Sequence, residues 1–164
     1  DNFYDPEHIE SLVSTALNHN LDWVYSLRKI VSRQKEFICL DDCDSLGLWG
    51  QWYSEQNHID ANCYLLKRKL AIDVASIWNR KGYSSEQLDP DKAVCRWLIS
   101  NVIRGFTSGI YSANYRLGST EQSANPKYFL EGNKIMENKY KYFPWRSAKL
   151  DYINDFTRRI ATNQ

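Results

Sequence analysis

Apolar residues recur three or four positions apart along most of the chain, the spacing typical of helices that bury one face. The first stripe follows Asp5-Pro6-Glu7, where an N-cap residue, a proline at the first helical position and an acid predict a helix start. The break at Asn18-His19-Asn20 predicts its end. The apolar positions of this first helix are Ile9, Leu12, Val13, Ala16 and Leu17.

Similar stripes predict further helices, and the whole pattern predicts an all-α fold. One helix runs from about Leu21 to Gln34 and another from about Ile59 to Arg80. Asp89-Pro90-Asp91 predicts the start of a third, which extends to about Tyr115. Asn125-Pro126 begins another and Phe143-Pro144 divides the tail, whose last helix carries Leu150, Ile153, Phe156 and Ile160. We expect one domain over residues 1–164, a single compact bundle of about six helices.

Residues 35–58 lack this spacing and predict an irregular loop segment on the helical scaffold. It holds the acidic run Asp41, Asp42 and Asp44, followed by Trp49, Trp52 and Tyr53. Loops held by rigid scaffolds often carry recognition, and aromatic anchors dominate the energetics of interfaces. The six residues of this acidic-aromatic loop are therefore the predicted binding site.

Composition adds to this interpretation in two ways. The chain contains six Trp and eleven Tyr, more amphipathic rings than a core of this size needs. The net charge of +1 lacks the basic surplus typical of nucleic-acid binders, although residues 1–50 are rich in acids and residues 126–164 in bases. No apolar run reaches the roughly 18 residues needed to span a bilayer.

The four cysteines leave the redox state open. Cys39, Cys43, Cys63 and Cys95 allow at least one disulfide or four free thiols, and the even count favours slightly a periplasmic or secreted protein, as does a start at Asp1 without Met. The spacing of Cys39, Cys43, His58 and Cys63 departs from common zinc modules. The acidic run also fails as a calcium loop, since Leu46 and Tyr53 occupy ligand positions. No metal or cofactor is predicted.

Three functions follow. The leading one is a non-enzymatic module, of an inhibitor, immunity or adaptor type, whose acidic-aromatic loop engages a partner protein with a basic surface. The second is a small helical hydrolase that uses His58 with a carboxylate such as Asp60 or Glu55 for general acid-base catalysis. The third, less favoured, is nucleic-acid binding through the basic-aromatic segment 139–146.

Overall fold

The computed structural model describes residues 2–79, 89–118 and 124–147. Within these ranges the protein is a mixed α/β fold, so the predicted all-α bundle of six helices is wrong. The strands are β1 (Phe3–Tyr4), β2 (Trp23–Val31), β3 (Phe37–Leu40), β4 (Tyr64–Leu66) and β5 (Gly105–Arg116). The helices are α1 (His8–Asn18), α2 (Arg68–Trp78), α3 (Pro90–Ser100) and α4 (Pro126–Lys139), with single 3₁₀ turns at Ala61–Cys63 and Pro144–Arg146.

β2 lies at the centre of the sheet and explains why the helical prediction failed. Eight of its nine residues are buried, because the strand is covered on both faces. A strand buried on both faces does not alternate between apolar and polar positions, so Val24, Leu27 and Ile30 can match a helical spacing by chance. Three-dimensional burial on both faces, rather than local preference, makes this segment a strand.

The sheet has the order β1-β5-β2-β3, and β4 pairs with β2 as well. β5 runs parallel to β2 along its whole length, while β3 and β4 run antiparallel to it. Since a strand has two edges, β3 and β4 share the edge opposite β5: β4 pairs with Trp23–Tyr25, and β3 pairs with residues 29–31. The connection 41–60 between them therefore leaves the sheet beside Arg28.

β5 replaces the C-terminal part of the long helix predicted from Asp89 to Tyr115, while α3 occupies its N-terminal part. Gly105 lets two strands approach closely: a β-carbon on it would lie 2.0 Å from the Trp23 ring. Gly109 has a φ of +75°, a left-handed backbone conformation that interrupts the strand register with β2. Both glycines are thus explained by the sheet.

Two predicted helix starts are confirmed. Asp89 accepts a hydrogen bond from the backbone N–H of Asp91 and α3 begins at Pro90, while Asn125 caps α4 in the same way. α1 begins two residues later than predicted, at His8. The predicted last helix, with Leu150 to Ile160, lies outside the described residues.

None of the described helices is long and apolar enough to cross a membrane. The core has a large part among the sheet, α2, α3 and α4, and a smaller part under α1 made by Leu12, Leu21, Val24 and Phe106. Trp49 packs edge-on against both Phe106 and Trp145, so the 41–60 connection joins the two parts.

Candidate functional site

Arg28 is the centre of a buried polar cluster formed by β2 and the 41–60 connection. Its Nε donates to Asp41 Oδ2 at 2.6 Å, its Nη1 donates to Asp60 Oδ2 at 2.7 Å, and its Nη2 donates to Asp44. The guanidinium also lies 4.4 Å from the centre of the Tyr115 ring. Burial disfavours the charged form, but the three carboxylates outweigh this and raise the pKa of Arg28 well above its usual value.

Asp41 also gives the connection its irregular shape. Its carboxylate accepts hydrogen bonds from the backbone N–H groups of Cys43, Asp44 and Ser45, at 3.2, 2.9 and 3.1 Å. A side chain that satisfies three successive backbone donors holds a tight turn without any helix or strand ladder. The acidic run is therefore an internal turn wrapped around Arg28.

Asp42 binds the C-terminal part of the described chain. It accepts hydrogen bonds from Tyr111 and from Trp145 Nε1, the latter at 2.7 Å, and pairs with Arg146 Nη2 at 2.5 Å. Burial and the adjacent Asp42 charge raise the pKa of the Tyr111 hydroxyl well above its usual value. This carboxylate thus fastens the turn at Pro144–Arg146 to the sheet.

Asp44 faces a second set of polar groups. Gln51 Nε2 and Tyr128 Oη donate to its Oδ1, the latter at 3.1 Å, and His58 Nδ1 lies 3.5 Å from its Oδ2. Burial raises the pKa of Asp44, but the contact with His58 and then the charge of Arg28 lower it more, so the pKa lies well below its usual value. Asp44 is therefore an ionised acceptor inside the protein.

The lowered pKa of Asp44 predicts a pH dependence of the protein's stability. Because its folded-state pKa is depressed, Asp44 stabilises the fold above the unfolded-state value of about 3.9, and this stabilisation is lost as the pH falls through the folded-state value. We expect the urea midpoint to fall on acidification below about pH 4, and to fall less steeply in Asp44→Asn. The exposed Asp73→Asn on α2 is the control and should keep the wild-type profile. An Asp44→Asn profile with the wild-type slope would contradict this role.

The six predicted binding residues occupy different environments. Asp41, Asp42 and Asp44 are buried, and their charges face Arg28 and Arg146 instead of solvent. Trp49 and Trp52 are half-buried and pack against the core. Only Tyr53 is exposed, at 52%.

Tyr53 belongs to a small aromatic cluster with Trp52 and Tyr128. The ring centres of Tyr53 lie 5.7 Å from Trp52 and 5.8 Å from Tyr128, and Lys92 Nζ lies 5.8 Å from the centre of the Tyr53 ring. Edge-on aromatic pairs of this kind stabilise packing as well as binding. The cluster covers Asp44 from outside, through the hydroxyl of Tyr128.

His58 contacts Asp44 rather than the carboxylates proposed with it. Asp60 pairs with Arg28, and Glu55 pairs with Lys139 at 2.9 Å. A carboxylate beside Nδ1 can orient an imidazole for proton transfer at Nε2. The hydrolase interpretation stays a prediction, with Asp44 as the carboxylate that the geometry favours.

Of the two redox states that the sequence left open, the disulfide is wrong, because all four cysteines are free. Cys43 Sγ lies 3.6 Å from Asp41 Oδ1, and Cys95 Sγ lies 3.9 Å from the carbonyl of Gly47, so the two thiols have separate polar neighbours. Burial raises the pKa of Cys63 and of Cys95 to about 12, and that of Cys39 to about 11. No cluster of three possible metal ligands occurs among the residues that the structure describes.

The basic-aromatic segment 139–146 is divided between core and surface. Trp145 is fully buried and Arg146 pairs with Asp42, whereas Tyr142 is 71% exposed and Lys141 is exposed. Nucleic-acid binding through this segment stays a prediction, and only the exposed part of the segment is accessible for it.

α1 carries a surface that the sequence pattern did not identify. The apolar stripe predicted to be buried is split: Leu12 is buried, while Ile9, Val13 and Leu17 are exposed by 60%, 39% and 76%. These three residues are four positions apart, so they lie along one line of the helix. Nothing in the sequence indicated this exposure, since apolar residues at positions 9, 12, 13, 16 and 17 form the usual stripe of a helix that buries one face.

A groove adjoins this stripe between α1 and β4, with a volume of about 370 Å³. Its apolar lining consists of Val13, Ala16, Leu17, Leu21, Trp23, Leu65 and Leu66. Lys67 Nζ and Asp22 Oδ1 form an ion pair of 2.7 Å at its border.

Comparison with protein families, with curated proteins and with solved structures finds no match for this chain.

Proposed function

We propose that this protein is a protein-binding module whose contact surface is the α1 face, defined as Ile9, Val13 and Leu17 with the adjoining groove. The observation that carries the proposal is the exposure of these three aliphatic side chains in one line on a helix whose Leu12 is fully buried. Apolar side chains that cluster at the surface next to a groove are typical of interaction sites.

The surroundings of the α1 face match the anatomy of an interface. Val13 and Leu17 line the groove as well as the stripe, which makes the apolar surface continuous. Exposed polar residues, Glu10, Ser14 and Asn18, border the stripe along α1. An apolar centre with a polar rim is the usual arrangement of a protein contact.

The α1 face replaces the acidic-aromatic loop as the proposed contact surface. The carboxylates of that loop are paired with the guanidinium groups of Arg28 and Arg146, and a charge neutralised by such a pair contributes little to steering a distant partner. The loop instead packs beneath α1, since Trp49 packs against Phe106 and Phe106 lies in the same buried cluster as Leu12.

A photo-reactive phenylalanine analogue at position 17 tests the proposal in the cells that produce the protein. We expect an intermolecular protein adduct from position 17 but not from position 135, where Ile135 is exposed on α4, away from the α1 face. Val13→Asp should abolish the adduct at position 17 while the thermal midpoint changes little, because a substitution at an exposed helix position costs less than about 1 kcal/mol. Equal adducts from both positions, or none from position 17, would refute the proposed surface.

A further inference from the structure

We infer that the partner bound by the α1 face is a second copy of this chain, with the two α1 helices packed antiparallel about a twofold axis at Val13. This inference rests on the proposed function, because it names the occupant of the same surface. A twofold contact requires a surface that is complementary to itself, in its shape and in its charge. The α1 face meets both requirements.

The apolar positions are symmetric about Val13. Ile9 and Leu17 lie four residues before and after it, which is about 6 Å in each direction along the helix axis. In an antiparallel pair, Val13 therefore meets Val13 of the partner subunit, and Leu17 meets Ile9 of the partner subunit. Each aliphatic side chain of the stripe gains an aliphatic counterpart.

The shapes at the two ends are complementary as well. Ile9 stands out from the surface with 60% of its side chain exposed, at the end of the stripe farther from the groove. The groove lies at the other end, beside Leu17, and is walled by Ala16 and Leu66. The antiparallel arrangement places a protruding side chain of one copy over the groove of the other, twice in each dimer.

The charges distinguish the antiparallel arrangement from a parallel one. Glu7 and Glu10 are exposed at the Ile9 end of α1. Arg68 and Lys69 are exposed where β4 leads into α2, next to Lys67, which lines the groove and is paired with Asp22. The antiparallel pair brings the acidic end of one copy to the basic end of the other, whereas a parallel pair would bring like charges together, which costs free energy.

Sedimentation equilibrium of the purified chain, whose monomer has a mass of 19.3 kDa, tests the inference. We expect a monomer-dimer equilibrium that Val13→Asp abolishes, because the twofold axis would place two carboxylates side by side. Each charge-reversed protein, Glu7→Lys with Glu10→Lys or Arg68→Glu with Lys69→Glu, should raise the dimer dissociation constant by at least about tenfold. Reversal of the exposed Lys134→Glu on α4 is the matched control and should leave it unchanged.

Mixing the two charge-reversed proteins gives the sharpest outcome. A mixed dimer would pair the lysines that replace Glu7 and Glu10 with the glutamates that replace Arg68 and Lys69, and the second pair of ends would match too. We therefore expect the mixture to form a heterodimer although neither protein dimerises well alone. Circular dichroism should show unchanged helix content in both, which separates lost association from unfolding.

Several results would overturn the inference, and they are distinguishable from failure of the proposed function. A wild-type chain that stays monomeric, a dimer unaffected by Val13→Asp, or a mixture that does not associate would each exclude this dimer. If an adduct from position 17 then contains a different protein, the α1 face binds a foreign partner and the proposed function survives. If the adduct lies within one chain, to any segment of it, both proposals fail.

Discussion

Replacement of Arg28 by methionine is expected to destabilise the protein by about 3–5 kcal/mol, the usual cost of removing one partner from a buried ion-pair network. Arg28 donates to Asp41, Asp44 and Asp60 at once, and its side chain is 3% exposed. Methionine retains the volume and the apolar stem, but it leaves three buried carboxylates without their counter-charge. Urea denaturation followed by tryptophan fluorescence measures the change in the free energy of unfolding.

Lys29→Met is the matched control for this experiment. Lys29 is the next residue of β2, but its ion pair with Asp5 is partly exposed, at 32% for the lysine side chain. We expect this control to lose less than about 1 kcal/mol, the range of solvent-exposed pairs. Equal losses in the two variants would show that Arg28 is not the centre of the cluster.

The pH dependence of the Arg28→Met effect adds an independent readout. Without the guanidinium, burial and mutual repulsion favour the protonated form of the three carboxyl groups. The stability difference between wild type and variant should therefore shrink as the pH falls, because protonation removes the uncompensated charge. A difference that stays constant with pH would attribute the loss to packing alone.

Replacement of Trp145 by alanine is expected to cost a similar amount, about 3–5 kcal/mol, the range for truncation of a large buried aromatic side chain. The side chain is fully buried, and its ring centre lies 5.0 Å from Phe143, 5.1 Å from Tyr140 and 5.7 Å from Trp49. The variant also loses the indole N–H that donates to Asp42 at 2.7 Å. The same urea titration measures it.

Tyr142→Ala is the control for Trp145, since it removes an aromatic ring three residues away that is 71% exposed. A surface substitution of this kind should stay within about 0.5 kcal/mol. Trp145→Phe should fall between the two, because it keeps most of the packing and loses the hydrogen bond to Asp42. If Trp145→Ala were as mild as Tyr142→Ala, the segment 144–146 would not be part of the core.

A series of contacts connects the polar cluster to the α1 face. Asp42 holds Trp145, Trp145 packs against Trp49, and Trp49 packs against Phe106 below Leu12 of α1. The buried charges thus support the fold of a long irregular connection, which leaves the aliphatic surface of α1 as the proposed contact with other molecules. Binding studies on Arg28 or Trp145 variants would therefore report on folding as well as on association.

Sequence patterns predicted those features that depend on neighbouring residues. The starts of α3 and α4 followed from Asp89-Pro90 and Asn125-Pro126, because an N-cap interacts with a backbone N–H only two residues ahead. The irregularity of 35–58 was recognised in part from its lack of a helical period, although β3 lies within it. The sequence does not show that Tyr53 is exposed while Trp49 is half-buried, because the burial of a side chain depends on distant segments of the chain.

The features that failed all depend on contacts between distant residues. The helical spacing of Val24, Leu27 and Ile30 belongs to a strand because β5, some 80 residues later, pairs along its whole length. The sequence predicts Asp41 and Asp44 as part of a binding site, but Arg28 lies between them and Asp60 and neutralises part of their charge. The spacing of apolar residues shows which positions of an element are apolar, but it does not show which face of that element another element will cover.

The sequence by itself determined where α3 and α4 begin and that most of the stretch 41–58 is irregular. The tertiary structure alone decided that residues 23–31 form a central strand, that the acidic residues of the 41–60 connection point inward, and that three of the five apolar residues of α1 are exposed. Local hydrogen bonding and backbone preferences act over a few residues and can be read along the chain. Strand pairing, burial and ion pairing act across the fold, and their outcome depends on which segments meet in space.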